Sequence, residues 1–294
     1  MKFAGIIAEY DPFHNGHAWQ LAQAKALGAE RVAVAMSCSL VQRGALPLLP
    51  EAVRTRSALT CGADLVFALP APCACAGAEA FARAGVALLA AAGCDGLVFG
   101  AETPDAALLM EAAELLDSGS YRAALKAQLA GGARSFAAAR QAAAAKLASD
   151  ERVAALLDKP NNNLAVEYCR AIRSLAPRME AYPLPRQGAN HGEALHSAHG
   201  QFASASALRK LWAEGGADAV APYVPEAVFP LYQEAYAAGQ YTDFSAAGRC
   251  ELALLRSACR GKAPFADIRG VSEGLEHRLE AAVRTSTTYD ELLD

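Results

Sequence analysis

Aromatic side chains are scarce in this sequence: Phe, Trp and Tyr make up 7% of its 294 residues. With 53% hydrophobic residues overall, an interior so short of rings must be filled largely by aliphatic groups and alanine, and alanine-rich helices are expected. Charge is modest too, at 20% of residues and a formal net of −4. That excludes a uniformly basic exterior of the kind that grips nucleic acid everywhere, while leaving room for a local basic face. No run of about 18 uncharged apolar residues occurs, so no membrane-spanning helix is expected. The apolar stretch at the N-terminus is cut off by Glu9, too early for a secretory leader. Eight cysteines (Cys38, Cys61, Cys73, Cys75, Cys94, Cys169, Cys250 and Cys259) lack the paired spacing of a zinc site. Reduced, mostly buried thiols in a cytoplasmic protein are the expectation.

What is present is a regular alternation. Short apolar runs at residues 3–8, 31–36, 64–69, 96–99 and 179–184 read as buried strands. Helical patterns fall between them, over residues 17–27, from Pro50-Glu51, over 77–92, and from Thr103-Pro104-Asp105 with Thr103 as the cap. Strands alternating with helices predict an α/β fold with a parallel sheet covered on both faces. Residues 106–157 form a continuous alanine-rich helical stretch, read as an insertion. Ser204-Ala205-Ser206 caps a further helix to about residue 213, and residues beyond 218 show helical periodicity without strands. The expected division is residues 1–215 and a helical region over 216–294.

His14-Asn15-Gly16-His17 follows the first strand directly and opens the first helix. A helix N-terminus at the carboxyl end of a parallel strand offers free N–H groups and the positive end of a dipole, which suit phosphate. Imidazole donors there stabilise charge that builds on an α-phosphate under attack, and Gly16 lets the backbone approach it. A plain polar turn and a metal pair are the alternatives, the second disfavoured because helical metal pairs prefer i,i+4 spacing and carboxylate or cysteine company.

The longer stretch from Gly5 to His17 resembles the opening of the tRNA(Met) cytidine acetate ligase family, within the His-x-Gly-His nucleotidyltransferases. Met36-Ser37, Val41-Gln42-Arg43-Gly44, Gly62-Ala63-Asp64-Leu65, Leu69-Pro70, Phe99-Gly100-Ala101-Glu102, Lys159-Pro160-Asn161-Asn162, Arg186-Gln187-Gly188-Ala189, residues 204–209 and residues 270–275 follow in that family's order. The resemblance implies a Rossmann-like nucleotidyltransferase fold of the HIGH-motif kind, with the helical insertion and a C-terminal helical region. It implies that ATP and acetate give acetyl-adenylate and pyrophosphate, and that the acetyl group passes to N4 of the wobble cytidine of elongator tRNA(Met). Catalysis would fall to His14 and His17. ATP contacts would come from Ile7, Ala8, Glu9, Tyr10, Phe13, His14, Gly16, His17 and Gln20, then Gly100, Asn161, Asn162 and Arg186. Ser206 and Arg209, at a helix start, suit the β- and γ-phosphates, and Arg186 suits phosphate or adenylate as a planar cation. Magnesium bridging the phosphates follows from their charge; no protein metal site and no covalent enzyme intermediate are implied.

The sequence departs from that family at Asp11, where Asn is usual, and at Cys38-Ser39, where a Gly-Asn pair is usual. It ends at Asp294, ahead of the family's strongly basic stretch, which weakens the tRNA expectation more than the ATP one. A nucleotidyl transfer to another small acceptor and a non-catalytic nucleotide- or RNA-binding role are the alternatives. Arg54, Arg56, Arg170, Arg173, Lys210, Arg256, Arg260 and Lys262 are the cations available to an RNA, each read by default as solvated helix surface. His191, His196 and His199 read as a loop over the nucleotide or as plain surface. Gly270-x-Ser272-x-Gly274 matches a hydrolase elbow but lacks a strand before it, and Gly261-Lys262 lacks the upstream glycine of a P-loop.

Overall fold

The structure is a computed structural model and describes residues 1–42, 44–132, 135–186, 195–197, 200–261, 265–268, 271 and 274–293. Two compact units are present, Met1–Tyr241 and Thr242–Asp294.

In the first unit the apolar runs form five strands: β1 (Phe3–Ala8), β2 (Arg31–Ser37), β3 (Leu65–Leu69), β4 (Gly96–Ala101) and β5 (Glu180–Pro185). All neighbours are parallel, in the order β3-β2-β1-β4-β5. Between them lie α1 (Asn15–Ala26), α2 (Glu51–Thr60), α3 (Ala71–Ala74) and α4 (Ala78–Ala91). Then come α5 (Ala106–Asp117), α6 (Gly119–Ala130), α7 (Phe136–Leu147), α8 (Glu151–Leu156) and α9 (Pro160–Leu175). A hairpin of β6 (Leu195–Ser197) and β7 (Gly200–Phe202) precedes α10 (Ala205–Val220) and α11 (Phe229–Ala237).

The period-2 alternation of each strand feeds two cores, one on each face of the sheet. Val32, Val34 and Met36 join Ile6 and Val98 on the face of α1, α2 and α10; Ala33 and Ala35 join Leu97 and Phe99 on the face of α4, α5 and α9. Small residues let α4 seat directly on β1. A Cβ at Gly85 would lie 2.5 Å from Ile7 Cδ1, and one at Gly5 would lie 2.8 Å from Leu89 Cδ1.

Sequence order and space diverge at one place that matters. The helices after β1 and β2 cover one face, while those after β3 and β4 cover the other. The chain therefore leaves β1 and β4, which are neighbours, in opposite directions, and a crevice opens between their carboxyl ends, where ligands of such sheets bind.

Several expectations need correction. The cap of α5 is Asp105, whose Oδ1 accepts from Leu108 N at 3.0 Å; Thr103 is bonded to Asn162 instead. The first unit runs on past residue 215. Gly216 (φ 67°, ψ −154°) kinks α10, and Val220, Val224, Val228 and Tyr232 return to the core on the α2 side. Tyr232 Oη donates to Phe13 O at 2.6 Å, so this segment belongs to the sheet domain. The hairpin was not expected. All eight cysteines are free, but only Cys94, Cys169 and Cys259 are buried.

The second unit holds α12 (Phe244–Ala258), α13 (Leu275–Thr285) and α14 (Tyr289–Leu293) around Cys259, Phe265 and Val283. Arg256 donates to Val283 O at 3.3 Å and Ser286 O at 2.5 Å, so it is a bracing residue of this unit.

Candidate nucleotide site

The crevice is a cavity of about 330 Å³. One wall begins where β1 ends. Tyr10 takes a left-handed conformation (φ 51°), a cis peptide joins Asp11 to Pro12, and the chain turns so that His14 becomes the N-cap of α1. The cap is reciprocal and made of imidazoles: Gly16 N donates to His14 Nδ1 at 3.0 Å, and His14 N donates to His17 Nδ1 at 3.3 Å. The rings stack with centroids 3.8 Å apart, and Tyr10 and Phe13 back His17 at 4.8 and 5.6 Å.

This local geometry sets the chemistry. In each ring Nδ1 is an acceptor, so the neutral imidazole carries its proton on Nε2, and Nε2–H is the donor left for a ligand. Gly16 is required for a reason the sequence did not suggest. A Cβ there would sit 2.9 Å from His14 Cε1 and displace the ring.

Both histidines are held neutral. His14 is lowered to about 4, by burial first and then by the Arg186 guanidinium. His17 lies well below its ordinary value because of burial, His14 and Arg186. An unfolded chain protonates its histidines near 6.5, so below that pH it binds protons that the folded protein refuses. The contribution of these rings to stability is fully present above about pH 6.5 and is lost as the pH falls. Thermal melts at pH 7, 6 and 5 should show Tm falling, and falling less in a His14→Asn variant; equal slopes in the two proteins would refute the assignment.

The opposite rim is organised by a carboxylate. Glu102 accepts from Asn161 N (3.2 Å), Asn161 Nδ2 (2.7 Å) and Asn162 N (2.6 Å), capping α9. Burial raises its pKa, but these bonds outweigh it and hold the group below its usual value. With Nδ2 so fixed, Asn161 Oδ1 accepts from Arg186 Nη1, which brings that guanidinium to the cavity. Asn162 is buried and faces away, its Oδ1 on Thr103 N at 2.9 Å and its Nδ2 on Thr103 Oγ1 at 3.1 Å.

Beneath the loops lies Arg54 of α2, fully buried. Nε donates to Leu49 O (3.0 Å), Nη1 to Glu9 O and Ser37 O (2.7 Å each), and Nη2 to Cys38 O. It is no surface cation but the joint between the loops that leave β1 and β2. Arg170 is likewise engaged, with Asp117 at 2.8 Å and Glu167 at 2.7 Å.

Asp11, the departure from the resembled pattern, is buried and committed. Oδ1 accepts from Leu48 N at 2.6 Å and Oδ2 pairs with Arg209 Nη1 at 3.1 Å; the same Nη1 donates to Asp11 O at 2.7 Å. Burial raises its pKa, opposed by the Leu48 N–H and then by Arg209 and Arg54. Ser206 Oγ lies 3.1 Å from that of Ser204, the N-cap of α10.

Of the residues expected to hold ATP, the cavity brings together Ile7, Ala8, Glu9, Tyr10, His14, Gly16, His17, Gln20, Gly100, Asn161 and Arg186. Phe13, Asn162, Ser206 and Arg209 are not in its lining, although Ala205, one helical turn before Arg209, is. Trp19, within the expected stretch from Ile7 to Gln20, and Phe99, beside Gly100, also line it, and Phe81, Leu164 and Tyr168 are lining residues not foreseen. No sequence signal sets Phe81, Leu164 and Tyr168 apart; the opposite departures of the chain from β1 and β4 open the cavity beside them. Arg43, His191, His199, Lys262, Gly270 and Ser272, with the side chain of His196, lie outside the described residues. Among the described residues no three His, Cys, Asp or Glu side chains form a metal-holding group, and no helix is long and apolar enough to cross a membrane.

A sequence model of the HIGH Nucleotidyl Transferase family matches residues 1–294. The tRNA(Met) cytidine acetate ligase of Syntrophotalea carbinolica is 37% identical over all of this chain and 69% of its own length. The chain belongs to the tRNA(Met) cytidine acetate ligase family of HIGH nucleotidyl transferases. The ligase of Acetivibrio thermocellus is 33% identical, over the whole chain and 72% of that relative. A crystal structure of Thermotoga maritima TmcAL without ligand superposes with a TM-score of 0.91 at 30% identity, and one bound with alpha-thio ATP with a TM-score of 0.88. Each covers all of this chain and 70% of the TmcAL chain. The expected family and α/β fold are thus borne out, and the cavity described above is the candidate nucleotide site of a member of this family.

Proposed function

We propose that this chain is an ATP-dependent tRNA(Met) cytidine acetate ligase acting in the cytoplasm. The observation that carries the reading is the imidazole cap: two neutral rings, each with Nδ1 spent on the backbone and Nε2–H left to donate, at a helix N-terminus beside the Arg186 guanidinium. A carboxylate oxygen of acetate attacks the α-phosphorus of ATP. The new P–O bond forms as the bond to pyrophosphate breaks, and the Nε2–H donors of His14 and His17 with Arg186 take up the charge on the phosphoryl oxygens. N4 of the wobble cytidine then attacks the acyl carbon, the C–N bond replaces the C–O bond to AMP, and the proton leaves N4. Magnesium would accompany the nucleotide and offset the charge of its phosphates.

The test is pyrophosphate release from ATP with and without acetate, and acetylation of elongator tRNA(Met). Release that requires acetate, with label appearing in the tRNA, is expected. Release independent of acetate would send the reading to another acceptor.

A further inference from the structure

The cavity has two chemically different halves because it straddles the sheet edge. The imidazole half belongs to the α1 face. The other half is made by Ile7, Phe81, Phe99, Leu164 and Tyr168, all of the opposite core. It is apolar and closed by rings: Phe81, Phe99 and Tyr168 are each at most 4% exposed, and Phe99 and Tyr168 lie 5.4 Å apart. Among the residues of this half the polar atom is Tyr168 Oη, which has no hydrogen-bond partner among the described residues and is not sealed off with the buried unsatisfied atoms; the charge that acts on it is the Glu9 carboxylate, also in the cavity lining. A hydroxyl left open in the lining of an otherwise apolar recess is suited to hold one oxygen of a small ligand whose remainder is hydrocarbon.

We infer that this recess is the acyl subsite: it takes the hydrocarbon end of a short-chain carboxylic acid, Tyr168 Oη donates to a carboxylate oxygen, and Phe81 with Phe99 limits the chain length. The inference rests on the proposed acid-adenylating function and adds the residues that select the acid. Two constraints favour an acid of very few carbons. The whole cavity is about 330 Å³, near the lower end for ligand pockets, and it must hold a nucleotide at the same time. Its apolar floor is packed core that cannot recede without moving α4, which Gly85 seats against Ile7. An apolar pocket of fixed depth discriminates about 10–200-fold per methylene.

The experiment is ATP–pyrophosphate exchange driven by acetate, propionate, butyrate and hexanoate, with KM measured separately for acid and ATP. The unmodified protein is expected to prefer acetate, with kcat/KM falling at least tenfold by butyrate. Tyr168→Phe keeps the ring and removes only the hydroxyl. It should raise KM for acetate roughly tenfold, as the loss of one hydrogen bond to a charged group does, with KM for ATP unchanged. Phe81→Leu should move the preference toward propionate or butyrate. If Tyr168→Phe raises KM for ATP instead, the recess holds the adenine and the inference fails. If acids of every length work equally in the unmodified protein, it fails without any variant. If no acid drives exchange at all, the proposed function falls first.

Discussion

His14→Asn is expected to leave the fold intact and to lower acid-dependent adenylation by about 10²–10³-fold. Asparagine is among the best N-cap residues, and its side-chain oxygen can take the bond that His14 Nδ1 accepts from Gly16 N at 3.0 Å. It has nothing in the place of Nε2–H. The substitution therefore separates the two tasks of one ring, the cap from the donor. His14→Ala removes both and should add a stability loss of about 1 kcal/mol. His17→Asn tests the second ring in the same way, since His17 Nδ1 accepts from His14 N. Because the rings stack and act on one phosphate in the proposed reaction, the double variant should lose much less than the product of the single losses. Steady-state exchange rates beside thermal melts decide the matter: equal loss of activity and stability would make the pair a structural cap only.

Arg54→Met should be the most damaging single change to the fold, by about 3–5 kcal/mol, because it orphans buried groups that the cation now satisfies. Four carbonyls from three segments lose their donor at once: Glu9 behind β1, Ser37 and Cys38 at the end of β2, and Leu49 before α2. For a unit of this size such a loss lowers Tm by roughly 10 °C. Arg54→Lys keeps the charge but cannot reach the same fan of acceptors, so it should recover only part of the loss. A melt shifted by less than 3 °C in Arg54→Met would show that the carbonyls find other donors.

The strands were legible because a parallel sheet covered on both faces needs continuous apolar runs, and Phe3–Ala8 and Arg31–Ser37 are such runs. The hairpin was not, since Leu195–Ser197 and Gly200–Phe202 are too short to show a period. The end of the first unit, at Tyr241, is not legible for a related reason. Helices that pack on the sheet and helices that pack on one another share a period, and tertiary contacts such as Tyr232 reaching Phe13 tell them apart. In the site, His14 and His17 stood out because their spacing falls at a strand–helix junction. Asn161 and Asn162 could not be separated, because neighbours on a helix point about 100° apart and the sequence does not say which direction is the cavity. The burial of Arg54 and the pairing of Asp11 with Arg209 are tertiary facts with no local trace.

Asn161, Leu164 and Tyr168 follow one another at i, i+3 and i+7 on α9, and all three face the cavity. Rim and recess are thus rungs of one ladder, about 10 Å apart at the helical rise. The separation between the guanidinium that Asn161 steadies and the open hydroxyl of Tyr168 is therefore fixed by counting residues and not by any hinge. Inserting or deleting one residue between them would turn the lower rung by about 100° and leave the upper one in place. Lengthening or shortening α9 elsewhere would alter neither. Within this stretch the chain can vary in composition, but it cannot vary in phase.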